Sequence, residues 1–550
     1  MGMLYTRHRA LLDQAVAALA ARGFWTPFPE IPSGKIYGET AREDGLAAYR
    51  ARLGAPFALE GHPEAARVGA EVSPWGPTLG ITYPAADTET LVAASRAAGA
   101  AWSAAGPEVR VGLLVEALQR LNARSFEMAN AVMHTTGQAF PMAFQAGGPH
   151  AQDRGLEAVA MAWVEMSRTP ATARWEKPQG KAAPIVLEKH WRIVPRGVAL
   201  VIGCQTFPTW NSYPGLFASL ATGNTVIVKP HPGATLPLAL TVAVLRDLLA
   251  EQGLPRDVVL LAADAAEAPI TQDLVRHPAV AIVDYTGSNT FGAWVRAHAD
   301  GARLYTEEAG VNTIVLAGTD DFAGMCANLA FSLALYSGQM CTAPQDIFVP
   351  KDGIATDQGR KSFDEVAAGI AAAIDALLAD PARAAGVCGA IANPATLARV
   401  AAARGLGRIV RDSAPTGEGR SATPLLLAVD ASDEAAYAEE RFGPIAFLVA
   451  VEDAHEGIAR AARLARRKGA ITAGLYDTDE ARIREAADAF AQAGANLSVN
   501  LTGNIYVNQS AAFSDYHVTG LNPAGNASLT DAAFVTGRFA WAMWRRPLAA

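Results

Sequence analysis

Residues 198–261 read VALVIGCQTFPTWNSYPGLFASLATGNTVIVKPHPGATLPLALTVAVLRDLLAEQGLPRDVVLL, and this stretch decides the fold. Val198–Gly203 is an apolar run of strand length, and Thr225–Val228 is a second. Neither alternates with polar residues, so both faces are buried, as in a parallel sheet covered on two sides. Leu236–Gln252 carries its apolar residues at helical spacing and is closed by Gly253 and Pro255. Val258–Leu261 then returns to strand character. Strands alternating with helices imply an α/β architecture built on a parallel sheet.

Ala281–Asp284 and Asn312–Leu316 follow as further strands. After a long helix, Phe322–Ser337, a second alternating series begins, with strands at Ile347–Val349, Leu425–Val429, Phe447–Val451, Ala473–Tyr476 and Leu497–Asn500. Two doubly wound units in tandem place a cleft between them, where ligands usually sit. Upstream, Asp87–Ser167 reads as helical, with Leu91, Ala94, Ala98 and Trp102 on one face. Pro170–Pro195 reads as an extended hairpin arm broken at Gln179, Gly180 and Lys181. The first 60 residues hold a helix-like stretch and a Pro/Gly-rich segment, Pro27–Gly38, read as an extension packed on the main body.

The net charge of −8 over 550 residues argues against binding to a phosphate backbone, which needs a basic face. The Arg463, Arg466, Arg467 and Lys468 group sits near a helix end, either as a solvated face favoured by the helix dipole or as a site for a phosphate-bearing substrate. No run reaches the roughly 18 apolar residues of a membrane span, and the charged N-terminus lacks a signal-peptide core. The four cysteines form no CxxC pair and no zinc-spaced Cys/His cluster, so no metal site is read from the spacing. Few cysteines in a long chain fit a reducing, cytoplasmic location.

The chemistry sits in separated motifs. Ser337-Gly338-Gln339-Met340-Cys341 ends a helix at a glycine and turns into a loop bearing one cysteine, whose thiolate is the reactive form. Glu307-Glu308-Ala309-Gly310-Val311-Asn312 places two acids before a small-residue turn, with Glu307 lying 34 positions before Cys341. Earlier come Thr206-Phe207-Pro208 and Gly223-Asn224-Thr225-Val226-Ile227-Val228-Lys229-Pro230, then Tyr285-Thr286-Gly287-Ser288-Asn289-Thr290-Phe291-Gly292. Glu440-Arg441-Phe442-Gly443-Pro444 comes last.

In this order and spacing the motifs resemble the aldehyde dehydrogenase superfamily, over about residues 70–545. Thr206–Asn211 and Phe513–Asn526 most resemble its phenylacetic acid degradation branch. The resemblance implies two doubly wound α/β domains, one cofactor-binding and one catalytic, plus a β oligomerisation arm. The division is then 1–60 extension, 61–310 cofactor-binding domain with arm 170–195, 311–510 catalytic domain, and 511–550 completing the oligomerisation region. The apolar tail, with Phe539, Trp541, Met543 and Trp544, would be covered in a homodimer or dimer of dimers.

By the same resemblance, Cys341 attacks an aldehyde carbonyl and Glu307 activates the water that hydrolyses the resulting thioester, with Glu308 as fallback base. Thr206 stands where most relatives carry an oxyanion-stabilising Asn. Lys229 corresponds to a lysine on the adenosine ribose, Gly287 and Ser288 open a helix suited to a pyrophosphate, and Glu440 and Phe442 flank the nicotinamide ribose. Pro232 replaces a ribose-binding Glu common in NAD users, and His231 is placed to meet a 2′-phosphate, so NADP is favoured over NAD. Cys204 fills a proline position or approaches Cys341, while Tyr516 and His517 contact substrate or brace its loop. The expected substrate is a small aldehyde, in this branch a CoA-linked semialdehyde. The competing readings are a CoA-acylating dehydrogenase or acyl-CoA reductase, against which Glu307 argues, and a non-catalytic protein retaining the fold.

Overall fold

A computed structural model describes residues 2–308, 310–527 and 531–548. Ala309, inside the Glu307 motif, lies outside the described residues. The hairpin arm is present as β1 (Thr172–Gln179) and β2 (Ala182–Pro195), turning at Gly180. The first parallel sheet is built from β3 (Val198–Ile202), β4 (Thr225–Lys229), β5 (Val259–Leu261), β6 (Val280–Gly287) and β7 (Arg303–Glu308), in the order β5-β4-β3-β6-β7. Every residue of β3, β4 and β5 is buried, as their unbroken apolar runs require. The chain switches direction between β3 and β6, so their carboxyl ends open a crevice.

The second sheet comprises β8 (Asn312–Leu316), β9 (Pro344–Pro350), β10 (Arg408–Arg411), β11 (Leu425–Asp430), β12 (Ile445–Val451), β13 (Thr472–Tyr476) and β14 (Asn496–Val499). Its order is β10-β11-β12-β9-β8-β13-β14, with β10 alone antiparallel to its neighbour. A third sheet pairs β15 (Phe539–Pro547) with β2 and β2 with β1, all antiparallel, so the tail and the arm form one unit.

Two local readings need correction. Asn312–Leu316, read with the first series, is a central strand of the second sheet. The strand that closes the first sheet is Arg303–Glu308, whose sequence RLYTEE lacks an apolar run because only its second half is buried. Glu307 and Glu308 therefore end this strand. The Arg303–Glu308 edge is zipped by the C-terminal segment: Glu308 N–H donates to Ala524 O at 2.7 Å, and Asn526 N–H to Thr306 O at 3.1 Å. Thr306 N–H in turn donates to Asn526 Oδ1 at 2.8 Å.

The N-terminal helix α1 (Met3–Ala21) buries Leu4, Tyr5, Leu12, Ala15 and Leu19 in the same core as helix α2 (Pro149–Ser167) and strand β4. The basic group at 463–468 ends a surface helix, where Arg467 and Arg463 pair with Glu434, and Lys468 with Glu439. Two acids therefore offset part of the charge of this solvated face. Among the described residues no helix is long and apolar enough to cross a membrane.

Candidate active site

The nucleophile loop departs from the expected helix end. Helix α5 (Phe322–Ala334) stops three residues before Ser337, and Tyr336, Ser337 and Gly338 all take positive φ of 52°, 50° and 62°. Such conformations cost about 1–3 kcal/mol each for residues other than glycine, so the surroundings must hold them. Ser337 Oγ donates toward Cys388 O and Ala422 O at 3.0 and 2.8 Å. The Gln339 amide donates to Tyr336 O and Ala390 O and accepts from Ala392 N–H. A Cβ on Gly338 would stand 2.4 Å from Gly443 O, so only glycine lets this loop pack against the Glu440–Pro444 turn.

Cys341 follows directly, just before the amino end of β9. Asn312, the first residue of β8, fixes it: Asn312 Nδ2 donates to Cys341 O at 2.8 Å and Ala343 O at 2.9 Å. Asn312 Oδ1 accepts from Ile471 N–H at 2.9 Å, tying the loop to β13. Cys341 thus sits at the amino ends of the second sheet, facing the carboxyl ends of the first.

Glu307, near the carboxyl end of β7, meets it there. Cys341 Sγ lies 3.7 Å from Glu307 Oε1. The same oxygen accepts from Asn211 Nδ2 at 2.9 Å, presented by helix α3 (Pro208–Ala221). His517 Nε2 lies 3.0 Å from that oxygen and 3.9 Å from Cys341 Sγ. A carboxylate has no proton to give, so the imidazole carries its hydrogen on Nε2 and donates. His517 packs edge-on to Trp210, with centroids 4.6 Å apart. The Arg154 guanidinium lies 3.9 Å from the Trp210 ring. Arg154 is buried, and Nε, Nη1 and Nη2 have no hydrogen-bond partner among the described residues.

The electrostatics follow from this packing. Burial pushes Glu307 up, but His517 and Arg154 more than offset it and hold the carboxyl below its usual range. Burial pushes the Cys341 thiol well up, and the nearby Glu307 and Cys204 charges add to that. The resting pair is therefore a thiol beside a carboxylate, the protonation states a base-activated nucleophile needs.

A cavity of about 670 Å³ runs from Cys341 and Glu307 to the switch point of the first sheet. It brings together Thr206, Lys229, His231, Gly287, Ser288, Glu307, Cys341, Glu440 and Phe442, which all line it, whereas Tyr516 and His517 do not. Their local settings refine the expectations. Gly287 ends β6, and Ser288 caps helix α4 (Asn289–His298), accepting from Phe291 N–H. Lys229 Nζ is ion-paired with buried Asp264 at 2.7 Å and donates to Pro230 O. His231 Nδ1 accepts from Gly233 N–H at 3.1 Å, which leaves Nε2 to donate. The Glu440 carboxyl is pushed up to about 7 by burial, with Arg399 opposing. Thr206 Oγ1 is 3.9 Å from Cys204 Sγ. Glu308, the fallback base, is paired with Arg296. All four cysteines are free.

A dinucleotide fits this setting: two sheet ends, a capped helix N-terminus and a long cleft with an acid and an aromatic ring at the Cys341 end. Asn211, Asn312, Asp264 and Arg154 carried no assigned role in the sequence. Their contacts span 29 to 153 positions, and short motifs do not record them.

The chain is 51% identical over the full length of both chains to the crystal structure of an NAD-dependent aldehyde dehydrogenase from Burkholderia multivorans, with a TM-score of 0.98. It is 29% identical over 410 residues to N-succinylglutamate 5-semialdehyde dehydrogenase of Burkholderia mallei (strain SAVP1), covering 73% of this chain and 78% of that one. A 1-pyrroline-5-carboxylate dehydrogenase variant from Thermus thermophilus shares the fold at 20% identity and TM-score 0.74, covering 96% of this chain and 99% of that one. Residues 73–530 match the aldehyde dehydrogenase family model, and this chain belongs to the aldehyde dehydrogenase family.

Proposed function

We propose that this enzyme oxidises an aldehyde to a free carboxylic acid with NAD(P), using Cys341 as nucleophile and Glu307 as base. The observation that carries the reading is the 3.7 Å approach of Cys341 Sγ to Glu307 Oε1 at the wall of the cleft. Glu307 accepts the thiol proton, and the sulfur adds to the aldehyde carbon. The Cys341 backbone N–H stabilises the resulting oxyanion, an interaction of about 3–4 kcal/mol per well-placed donor. Thr206 supplies the second donor by turning its hydroxyl from Cys204. When bound, NAD(P), held at its nicotinamide end by Glu440 and Phe442, would supply the hydride-accepting chemistry. A thioester remains on Cys341; Glu307 releases the thiol proton to solvent and then, oriented by Asn211 and His517, takes the proton of the attacking water, which it returns to the departing Cys341 thiolate as the acid is freed. Retention of this base favours the free acid over transfer to coenzyme A.

Lys229, Ser288, Glu440 and Phe442 are positioned to hold the cofactor. Pro232 places no carboxylate against a 2′-phosphate, and His231 Nε2 has a hydrogen to offer one, which favours NADP. The second reading, NAD, is favoured by the Lys229–Asp264 pair, which cancels the nearest positive charge, and by the NAD dependence named for the Burkholderia multivorans relative. For the aldehyde, the Thr206–Asn211 and Phe513–Asn526 segments favour a CoA-linked semialdehyde of aromatic degradation. The relatives named for N-succinylglutamate 5-semialdehyde favour instead a semialdehyde carrying its own carboxylate. The sheet formed by β1, β2 and β15, which exposes Trp175, Ile185, Met543 and Trp544, is the oligomerisation surface in this reading.

Cys341→Ala is expected to lose at least about a thousandfold in turnover while still binding dinucleotide, checked by steady-state assay and cofactor fluorescence. Residual activity near wild type would overturn the assignment. Because Glu307 stays ionised while the thiol resists ionisation, iodoacetamide alkylation of Cys341 should rise with pH from about 6 to 9. A flat profile would mean the resting sulfur is already a thiolate. In initial-rate comparisons kcat/KM is expected to be higher with NADP, and Asp264→Asn should raise that ratio further by freeing the Lys229 charge. A preference for NAD that Asp264→Asn leaves unmoved would contradict this.

A further inference from the structure

We propose that Cys341, Glu307 and His517 form a binding site for a zinc ion whose occupancy blocks the enzyme. One sulfur, one carboxylate oxygen and one imidazole nitrogen from these residues lie within 4.8 Å of one another. The separations are 3.7 Å from sulfur to oxygen, 3.9 Å from sulfur to nitrogen and 3.0 Å from oxygen to nitrogen. Zinc bonds of about 2.3 Å to sulfur and about 2.0–2.2 Å to nitrogen or oxygen set tetrahedral ligand atoms about 3.3–3.6 Å apart. Small side-chain adjustments therefore close the three groups around one ion.

The ligands come from strand β7, the loop before β9 and the C-terminal segment zipped to β7, each held by backbone hydrogen bonds. Cys341 and Glu307 also line the cleft, so an ion can enter from it and the fourth position stays open to water. Zinc displaces the hydrogen of His517 Nε2, and buried Nδ1, which has no partner among the described residues, can carry it instead. The balance is simple. The thiol proton leaves to solvent, three dative bonds form, and no electron is transferred. One carboxylate and one thiolate match the two positive charges of the ion, so the occupied site is neutral. Mixed sulfur, nitrogen and oxygen donors suit zinc over magnesium or calcium, which require oxygen.

The block of turnover rests on the roles proposed above for Cys341 and Glu307, because zinc takes the nucleophile and the base together. Binding itself does not, and it is tested without aldehyde. Stoichiometric Zn²⁺ should protect Cys341 from iodoacetamide, with the labelled peptide read by mass spectrometry and protection reversed by EDTA. His517→Gln and Glu307→Gln should each need at least about tenfold more Zn²⁺, since loss of outer partners alone weakens metal sites 10–100-fold. In the wild-type protein, which needs no folded variant, Co²⁺ should give a thiolate-to-metal charge-transfer band and the visible bands of a four-coordinate ion. No protection, protection equal in both variants, or octahedral Co²⁺ without thiolate charge transfer would overturn the site. Should zinc bind as described while aldehydes are not oxidised, the metal site stands and the catalytic reading falls.

Discussion

A buried carboxylate stays ionised only when nearby donors or positive charge offset the cost of leaving water. At Glu307 that role falls to Asn211 and His517, which both donate to one carboxylate oxygen, with the Arg154 guanidinium beyond Trp210. The arrangement governs the rest of the site. A protonated Glu307 would leave Cys341 without an acceptor for its proton, and the thiol, buried beside two other acidic groups, does not ionise readily by itself. The architecture can be understood as the means of bringing four distant segments to one carboxylate: helix α3 with Asn211, strand β7 with Glu307, the left-handed turn before Cys341, and the C-terminal segment with His517.

That convergence explains the motif residues in physical terms. Gly338 and Gly443 lie where two loops touch backbone to backbone. Ser337 and Gln339 hold a turn that pure backbone preference would reject. Gly292 is small because Glu308 folds over it: an added Cβ would stand 2.3 Å from the Glu308 carboxyl carbon. Glu308 is thereby turned to Arg296 and away from the sulfur. The two adjacent acids have separate tasks because successive residues of a strand point to opposite faces.

Much of this was legible in the chain itself. The continuous apolar runs at Val198–Gly203 and Thr225–Val228 reveal a parallel core because both faces of those strands are buried. The hairpin at 170–195 shows itself through its polar break. Arg303–Glu308 did not, since an edge strand buried along half its length has no apolar signature. Cys341 and Glu307 could be paired through the ordered motifs of a resemblance. The hydrogen bonds that tune them could not, because Asn211 and His517 are 96 and 210 positions from Glu307. Lys229 shows the same boundary: its motif marks it as a cofactor contact, yet its Asp264 partner lies outside that motif and changes the charge it presents.

The central claim is that the acyl group of the aldehyde is held covalently on Cys341 and released by Glu307. Intact-protein and peptide mass spectrometry of Glu307→Gln, mixed with aldehyde and oxidised dinucleotide, tests it most directly. The account predicts an adduct of the aldehyde mass less two hydrogens, confined to the peptide containing Cys341 and absent when dinucleotide is withheld. An adduct-free protein that still turns over, or an adduct on Cys204, would contradict it.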